Sequence, residues 1–502
     1  MDHDILFYIE ICTSYAVKNG LCGKADEDLV RNRLLELFRL DAPSEKKAAE
    51  AELPEYIAQT LSLMTDYAAQ AGLFEPNTPV FREIFENRIG ACMLMWPSAA
   101  EAEFSRLYRE QGPRAATDWF YALCRKSNYI RTQEIARNLI FHEATPYGEA
   151  EVTINLTKPE KDPQEIARQL AAPQTNYPKC QLCKENVGYA GRVNHPARQL
   201  LRTVPLTLNG EAWRMQYSPY VYFNEHCIAL SDSHTPMDIC RATYVRLFDF
   251  LDQFPHYFIG SNAGLPIAGG SILSHLHFQG GRHTLPMMKA PVLRRFACRE
   301  PEIEASQLKW PMPVLRLESE NREALTALAE RVTLAWEQYS DASQGIYAHT
   351  DGTAHNTITP ISQKQDGKYI LDLVFRNNLT SAEFPLGIFH PHPCRHHIKR
   401  ENIGLIEVMG LFILPGRLKN ELAQTVCYLC GQEYDAAAVE PHKAWADEIR
   451  ARRSFRSPEE AQAVLRNELA QLCMQLLGDA AVFKDTPEGN DAFARFIGRC
   501  AL

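Results

Sequence analysis

Along the first 150 residues the apolar positions recur at helical spacing. Ile5, Ile9, Tyr15 and Ala16 open a segment that Asn19-Gly20 closes, with glycine where a helix ends in the left-handed conformation. Asp26-Glu-Asp28 stands ahead of Leu29, Leu34, Leu35 and Leu37, placing carboxylates at the helix end whose dipole favours them. Residues 45–71 and 118–138 continue the same period. This pattern predicts an N-terminal helical domain over 1–150 that serves packing or oligomerisation, with a homodimer as the expected assembly. The period then changes. A strand at Thr153 leads into a Pro-punctuated turn ending at Pro163. Leu206 to Trp213 reads as a hairpin around Asn209-Gly210, Cys227 to Ser231 as a short strand, and Met237 to Phe254 as an amphipathic helix. A further strand covers His275 to Gln279. After Pro301 the order restarts: a strand at 313–317, a helix at 321–339, and strands at 347–360 and 369–377. Residues 403–410 read as a helix ended by Leu414-Pro-Gly-Arg-Leu418, and from Lys419 onward the chain is helical, polar and peripheral. The fold class is therefore α+β, in four parts: 1–150, 151–300, 301–418 and 419–502.

The chemistry concentrates in residues 260–281. Asn262, Gly269, Gly270 and Ser271 make a small-residue loop, whose glycines let backbone N–H groups approach an anion closely. His275-x-His277-x-Gln279 follows. Side chains alternate faces along a strand, so residues 275, 277 and 279 share one face while Leu276 and Phe278 take the other. An imidazole with a free lone pair is a good nucleophile toward phosphorus, provided its second nitrogen has a fixed partner. This reading makes His277 the nucleophile, His275 its orienter or a metal ligand, and Gln279 and Ser271 donors to phosphate oxygens. Two satisfied core histidines are the plainer alternative for His-x-His alone. The flanking Asn, Gly-Gly-Ser and Gln-Gly-Gly argue against it.

These residues resemble the histidine-triad superfamily, in the branch whose third histidine is glutamine: the hexose-1-phosphate uridylyltransferases. Ser127-Asn-Tyr-Ile-Arg131 and the segment from Thr153 to Pro163 resemble its second, Gram-positive-type class. The resemblance implies two tandem histidine-triad-like antiparallel half-barrels with helices. The first is catalytic and the second is a degenerate copy serving as substrate platform. It implies exchange of UMP between UDP-glucose and galactose 1-phosphate, giving UDP-galactose, through a nucleotidyl-histidine. It also implies a metal site on Cys180, Cys183, His234 and His275, and uridine contacts from Gln216, Tyr217 and Ser218. Leu276 and Gly264 depart from the class, which carries aspartates at both positions.

Each of these segments also has a plainer reading. Cys180-Gln-Leu-Cys183 has the spacing of two thiolates on one tetrahedral zinc, or is a turn with two free thiols. No organic cofactor is expected. Cys427-x-x-Cys430 lies in a helical pattern and reads as core. Arg192, Arg198 and Arg202 could clamp a diphosphate through their guanidinium forks, or be solvated. Gln216, Tyr217 and Ser218 are nucleoside contacts or core. His390, His392, His396 and His397, with His355, could bind a second metal. Lys399, Arg400 and Asn402 precede a helix and read as a sugar-phosphate cradle, or as an ordinary surface loop.

Bulk properties narrow the classes. The chain has 502 residues, 45% apolar and 23% charged, and a formal charge of −9. That excludes a nucleic-acid footprint, and no apolar run spans a membrane. The N-terminus lacks a basic signal region, and fourteen scattered cysteines fit reduced thiols. The expected location is the cytoplasm. The rival functions are a histidine-triad nucleotide phosphorylase or hydrolase, which Gln279 argues against, and a non-enzymatic metal-binding scaffold.

Overall fold

The computed structural model describes residues 2–157, 175–270 and 272–500. The turn expected up to Pro163 and the donor Ser271 fall outside them. The chain divides into two compact units, Met1–Ala136 with Glu160–His234, and Arg137–Pro159 with Thr235–Leu502.

In the first unit, helices cover Asp2–Lys18, Glu27–Phe38, Ala58–Gln70, Pro79–Met93, Pro97–Gln111 and Pro113–Lys126. The last three each start on a proline, whose fixed φ suits a first helical turn and whose missing N–H costs nothing there. Only the first, second and third of these helices, and the sixth, were legible from periodicity. Residues 45–71 yield a single helix from Ala58, preceded by a short 3-10 turn at Glu50–Glu52. The hairpin closes as predicted: Leu208 pairs with Glu211 across Asn209 (φ 52°) and Gly210 (φ 73°), the left-handed pair that a two-residue turn requires. Strands Val204–Leu208, Glu211–Tyr217 and Cys227–Ser231 are antiparallel neighbours. Tyr217 locks this sheet to the helices. Its buried ring sits 5.2 and 5.0 Å from those of Phe120 and Tyr121, and its hydroxyl donates to the Thr117 carbonyl.

The second unit carries a seven-stranded antiparallel run in the order His277–Gly281, Phe258–Gly260, Asn356–Gln365, Lys368–Asn377, Val314–Ser319, Glu304–Leu308, Val292–Phe296. The helix Arg322–Glu337 opens on Asn321, whose side chain accepts from the N–H groups of Glu323 and Ala324. Arg241–Gln253 is the other crossing helix. Together they confirm an α+β fold with antiparallel sheets and an N-terminal helical region.

Two expectations fail here. The helix at 403–410 is only Leu405–Val408. Gly410 (φ 91°) ends it, and Leu411–Pro415 is a strand running parallel to Gly148–Asn155. A short apolar run such as Leu-Phe-Ile-Leu has no period that separates strand from buried helix. The C-terminal helices are not peripheral either. Trp336, fully buried, has Phe375, Phe483 and Phe496 within 5.2 to 5.9 Å, the last two supplied by the chain end. Among the described residues, no helix is long and apolar enough to cross a membrane.

Candidate functional site

The nucleophile candidate stands at the start of its strand. His277 is 6% exposed, and its Nδ1 lies 2.8 Å from the carbonyl oxygen of His275. A carbonyl only accepts, so Nδ1 carries the proton and Nε2 keeps its lone pair. Burial pushes the ring down to about 4; its bond to the backbone opposes this and the neighbouring His275 adds to it. The ring is therefore neutral near pH 7. His275 precedes the strand rather than lying in it, and uses its main chain to orient its neighbour. Gln279 pairs with Gly260 in the adjacent strand.

Glycine is obligatory within this strand. A Cβ on Gly280 would fall 2.2 Å from the Phe258 carbonyl oxygen. Gly280→Ala is expected to force the two strands apart and cost about 1–3 kcal/mol, read as a lowered urea midpoint. An unchanged midpoint would show that the pairing is looser than described.

The small-residue loop folds back on its own asparagine. A Cβ on Gly270 would meet Asn262 Nδ2 at 2.7 Å, and one on Gly269 would meet the Ala263 nitrogen at 3.0 Å. Asn262, 4% exposed, accepts from the Leu405 N–H at 2.9 Å. Asn402 accepts from His390 Nε2 at 3.1 Å and donates to the Gly269 carbonyl at 3.3 Å. Two stretches 133 to 143 residues apart in the chain are thus joined by asparagines at both ends of the loop. Sequence reasoning missed this bridge and Glu407 with it, and read His390 as a candidate metal ligand instead.

The basic segment is partly spent. Lys399 is buried; burial lowers its affinity for a proton, but Glu407, 3.1 Å away, and Glu401 outweigh this and raise it. Its charge is matched within the protein, while Arg400 stays exposed. Arg376, unremarked beyond its polar-tipped strand, is fully buried. Its Nη2 donates to the Ile403 carbonyl, its Nη1 has no partner among the described residues, and burial pushes it down to about 10. The histidines do not gather into a second metal site. His392 faces Asp479, His396 bonds the Pro391 carbonyl, His397 bonds His442, and His355 bonds Thr350 and Asn378.

In the first unit, Cys180 Sγ and Cys183 Sγ lie 3.5 Å apart, and Cys183 Sγ lies 3.1 Å from His234 Nδ1. Burial and the adjacent Cys180 push the Cys183 thiol up to about 11, a cost that a bound cation would reverse by stabilising thiolate. This group could hold a metal ion. Asn186, fully buried, shapes its loop by donating to the carbonyls of both Cys180 and Cys183, and accepts from His195 Nε2 at 2.7 Å. All fourteen cysteines are free thiols; Cys427 and Cys430 are half-buried, and Cys430 packs against the buried cluster around Val426 and Leu429.

The arginines beyond this loop divide. Arg202 is buried and donates to the carbonyls of Met95, Gln199 and Leu201, so it is structural. Arg192 is held by Asn194, Tyr189 and the Tyr177 carbonyl, leaving Arg198 less engaged. Gln216 and Ser218 are buried at the end of their strand; Tyr217 is committed to packing, as its ring contacts and spent hydroxyl require.

The chain is similar to known proteins over nearly its whole length. Residues 22–236 match the model for the galactose-1-phosphate uridyl transferase N-terminal domain, and 250–447 that for the C-terminal domain. The galactose-1-phosphate uridylyltransferase of Halalkalibacterium halodurans is 47% identical over 503 residues, covering 98% of each chain. That of Bacillus subtilis is 43% identical over 499 residues, covering 98% of this chain and 97% of the relative. That of Streptococcus pneumoniae is 49% identical over 424 residues, covering 84% and 85%. Among solved structures, yeast Ap4A phosphorylase Apa2 covers 66% of this chain and 96% of its own at 14% identity and a TM-score of 0.31. Identical at nearly half its positions to relatives of the same length, and matched by both domain models in order, the chain belongs to the galactose-1-phosphate uridylyltransferase family.

Proposed function

We propose that this protein exchanges UMP between UDP-glucose and galactose 1-phosphate by double displacement at His277. The observation that carries the reading is the His277 ring itself: neutral, with Nδ1–H held by the His275 carbonyl and Nε2 left as the nucleophilic nitrogen. Nε2 attacks the α-phosphorus of UDP-glucose. The phosphorus–oxygen bond to glucose 1-phosphate breaks, and the electron pair leaves on that oxygen, already a good leaving group. The positive charge on the esterified ring is shared through Nδ1–H with the carbonyl. A phosphate oxygen of galactose 1-phosphate then attacks, the nitrogen–phosphorus bond breaks, and the lone pair returns to Nε2. Atoms and charge balance without an added acid, and ping-pong kinetics follow. Backbone amides at Gly269 and Gly270, with Ser271 and Gln279, hold the equatorial oxygens, where positioning and electrostatics do most of the work. Gln216, Ser218 and Arg198 are assigned to the nucleotide, and Arg400 and Asn402 to the sugar phosphate. The division at residues 150, 300 and 418 belongs to the same proposal. The test is mass spectrometry of the intact protein after UDP-glucose alone. One uridylyl group per chain is expected, persisting in water and discharged by galactose 1-phosphate. Absence of the adduct, or its rapid loss to water, sinks the reading.

The donor set suits zinc, with His275 as the proposed fourth ligand beside Cys180, Cys183 and His234. Such an ion would brace the loop and the main chain that orients His277. Because Asn186 shapes the cysteine loop from behind, Asn186→Leu is expected to weaken zinc binding roughly 10–100-fold, measured by chelator competition. Unchanged affinity would remove Asn186 from the site.

A further inference from the structure

The helical part of the first unit holds a cavity of about 380 Å³ between the helices Glu27–Phe38 and Pro79–Met93. Three arginines line it, Arg33, Arg39 and Arg88, against a single carboxylate, Glu36. The other arginines of these two helices are paired: Arg31 meets Glu10, Glu27 and Asp28, and Arg82 meets Asp66. None of the three cavity arginines makes an ion pair among the described residues. Arg88 instead lies over the ring of buried Phe85, itself part of the cavity wall, with its guanidinium carbon 5.4 Å from the ring centre. Arg33 lies 5.5 Å over Trp96. Stacking fixes a guanidinium's plane and leaves its edge donors available. One wall supplies the opposite need: Gln199 Oε1 is buried with no hydrogen-bond partner among the described residues. An unsatisfied buried acceptor costs about 1–3 kcal/mol unless a donor reaches it.

Three uncompensated guanidiniums and an unfilled acceptor in one concave space describe a ligand that is anionic at one end and carries hydroxyl donors at the other. We propose that this cavity is a binding site for a phosphate ester of a small polyhydroxylated molecule, with the phosphoryl group on Arg33, Arg39 and Arg88 and a hydroxyl on Gln199. The site is separate from the uridylyl-transfer chemistry and does not depend on it. Inorganic phosphate shares the anionic half of this chemistry and is the alternative source.

Cys92 lines the same cavity and reports on it. The full-length protein is alkylated with iodoacetamide, and modification of Cys92 is followed by peptide mass spectrometry with glucose 6-phosphate, inorganic phosphate or glucose present. Glucose 6-phosphate is expected to slow Cys92 modification at least tenfold, and glucose to leave it unchanged. Equal protection by inorganic phosphate identifies the free anion as occupant of the same site. The double variant Arg33→Gln/Arg88→Gln, with turnover at saturating substrate as its folding control, should lose the protection. Arg39→Gln, an exposed change at a helix end, is the second variant should the first fold poorly, and should weaken protection in the same direction. Absence of protection by either phosphate, or protection undiminished in a folded variant, overturns the proposal.

Discussion

His277→Gly is expected to abolish uridylyl transfer, by roughly 10⁴- to 10⁶-fold, the scale on which loss of a covalent nucleophile registers. The expectation follows from what the ring alone supplies. The Nδ1–H of His277 is consumed by the His275 carbonyl, and burial keeps the imidazole neutral. Asn262 is bound to the Leu405 N–H and Asn402 to Gly269 and His390. Removing the ring leaves the glycine loop anchored, because its anchors are those asparagines and not the histidine. The variant should therefore still bind UDP-glucose and should form no adduct. Turnover near the wild-type rate would mean that the phosphorus is attacked by something else.

Asp372→Asn should be the most destabilising single change outside the site. Asp372 and Arg316 face each other on adjacent strands, 2% and 8% exposed, joined by two hydrogen bonds of 2.7 Å. Burial lowers the proton affinity of Arg316, and Asp372 more than restores it, so the guanidinium stays charged. Breaking a buried pair leaves a charge without its counter-charge, here with the Met288 carbonyl still accepting from Arg316, and costs about 3–5 kcal/mol, whereas replacing both members by apolar residues is often close to neutral. The single variant should unfold at a markedly lower denaturant concentration, and Arg316→Met/Asp372→Leu should recover most of the loss. Equal loss in the single and double variants would show that shape rather than charge is what this pair contributes.

The parts of the molecule that were legible in advance are those whose signal is local. His277-x-Gln279 announces a strand because its alternation is itself the geometry, although His275, expected on the same strand, falls just short of it. Asn209-Gly210 announces its turn because its two residues accept the left-handed conformation. What escaped was the choice of partner. Lys399 reads as free cation until Glu407 arrives beside it; Tyr217 reads as a nucleoside contact until the Thr117 carbonyl takes its hydroxyl. The four histidines from 390 to 397 look like one cluster, yet His390 turns to Asn402, His392 to Asp479 and His397 to His442, while His396 bonds the Pro391 carbonyl.

The chain's order of residues, taken alone, determined the class of fold, the nucleophile candidate and the cysteine pair, since each rests on residues within a few positions of one another. Only the folded chain decided which polar groups are already satisfied. Asn262 reaches across 143 residues to the Leu405 amide, and Leu411–Pro415 finds Gly148–Asn155 rather than continuing a helix. Those outcomes depend on which distant elements close packing brings together, and a buried polar group must bond to whatever it meets there.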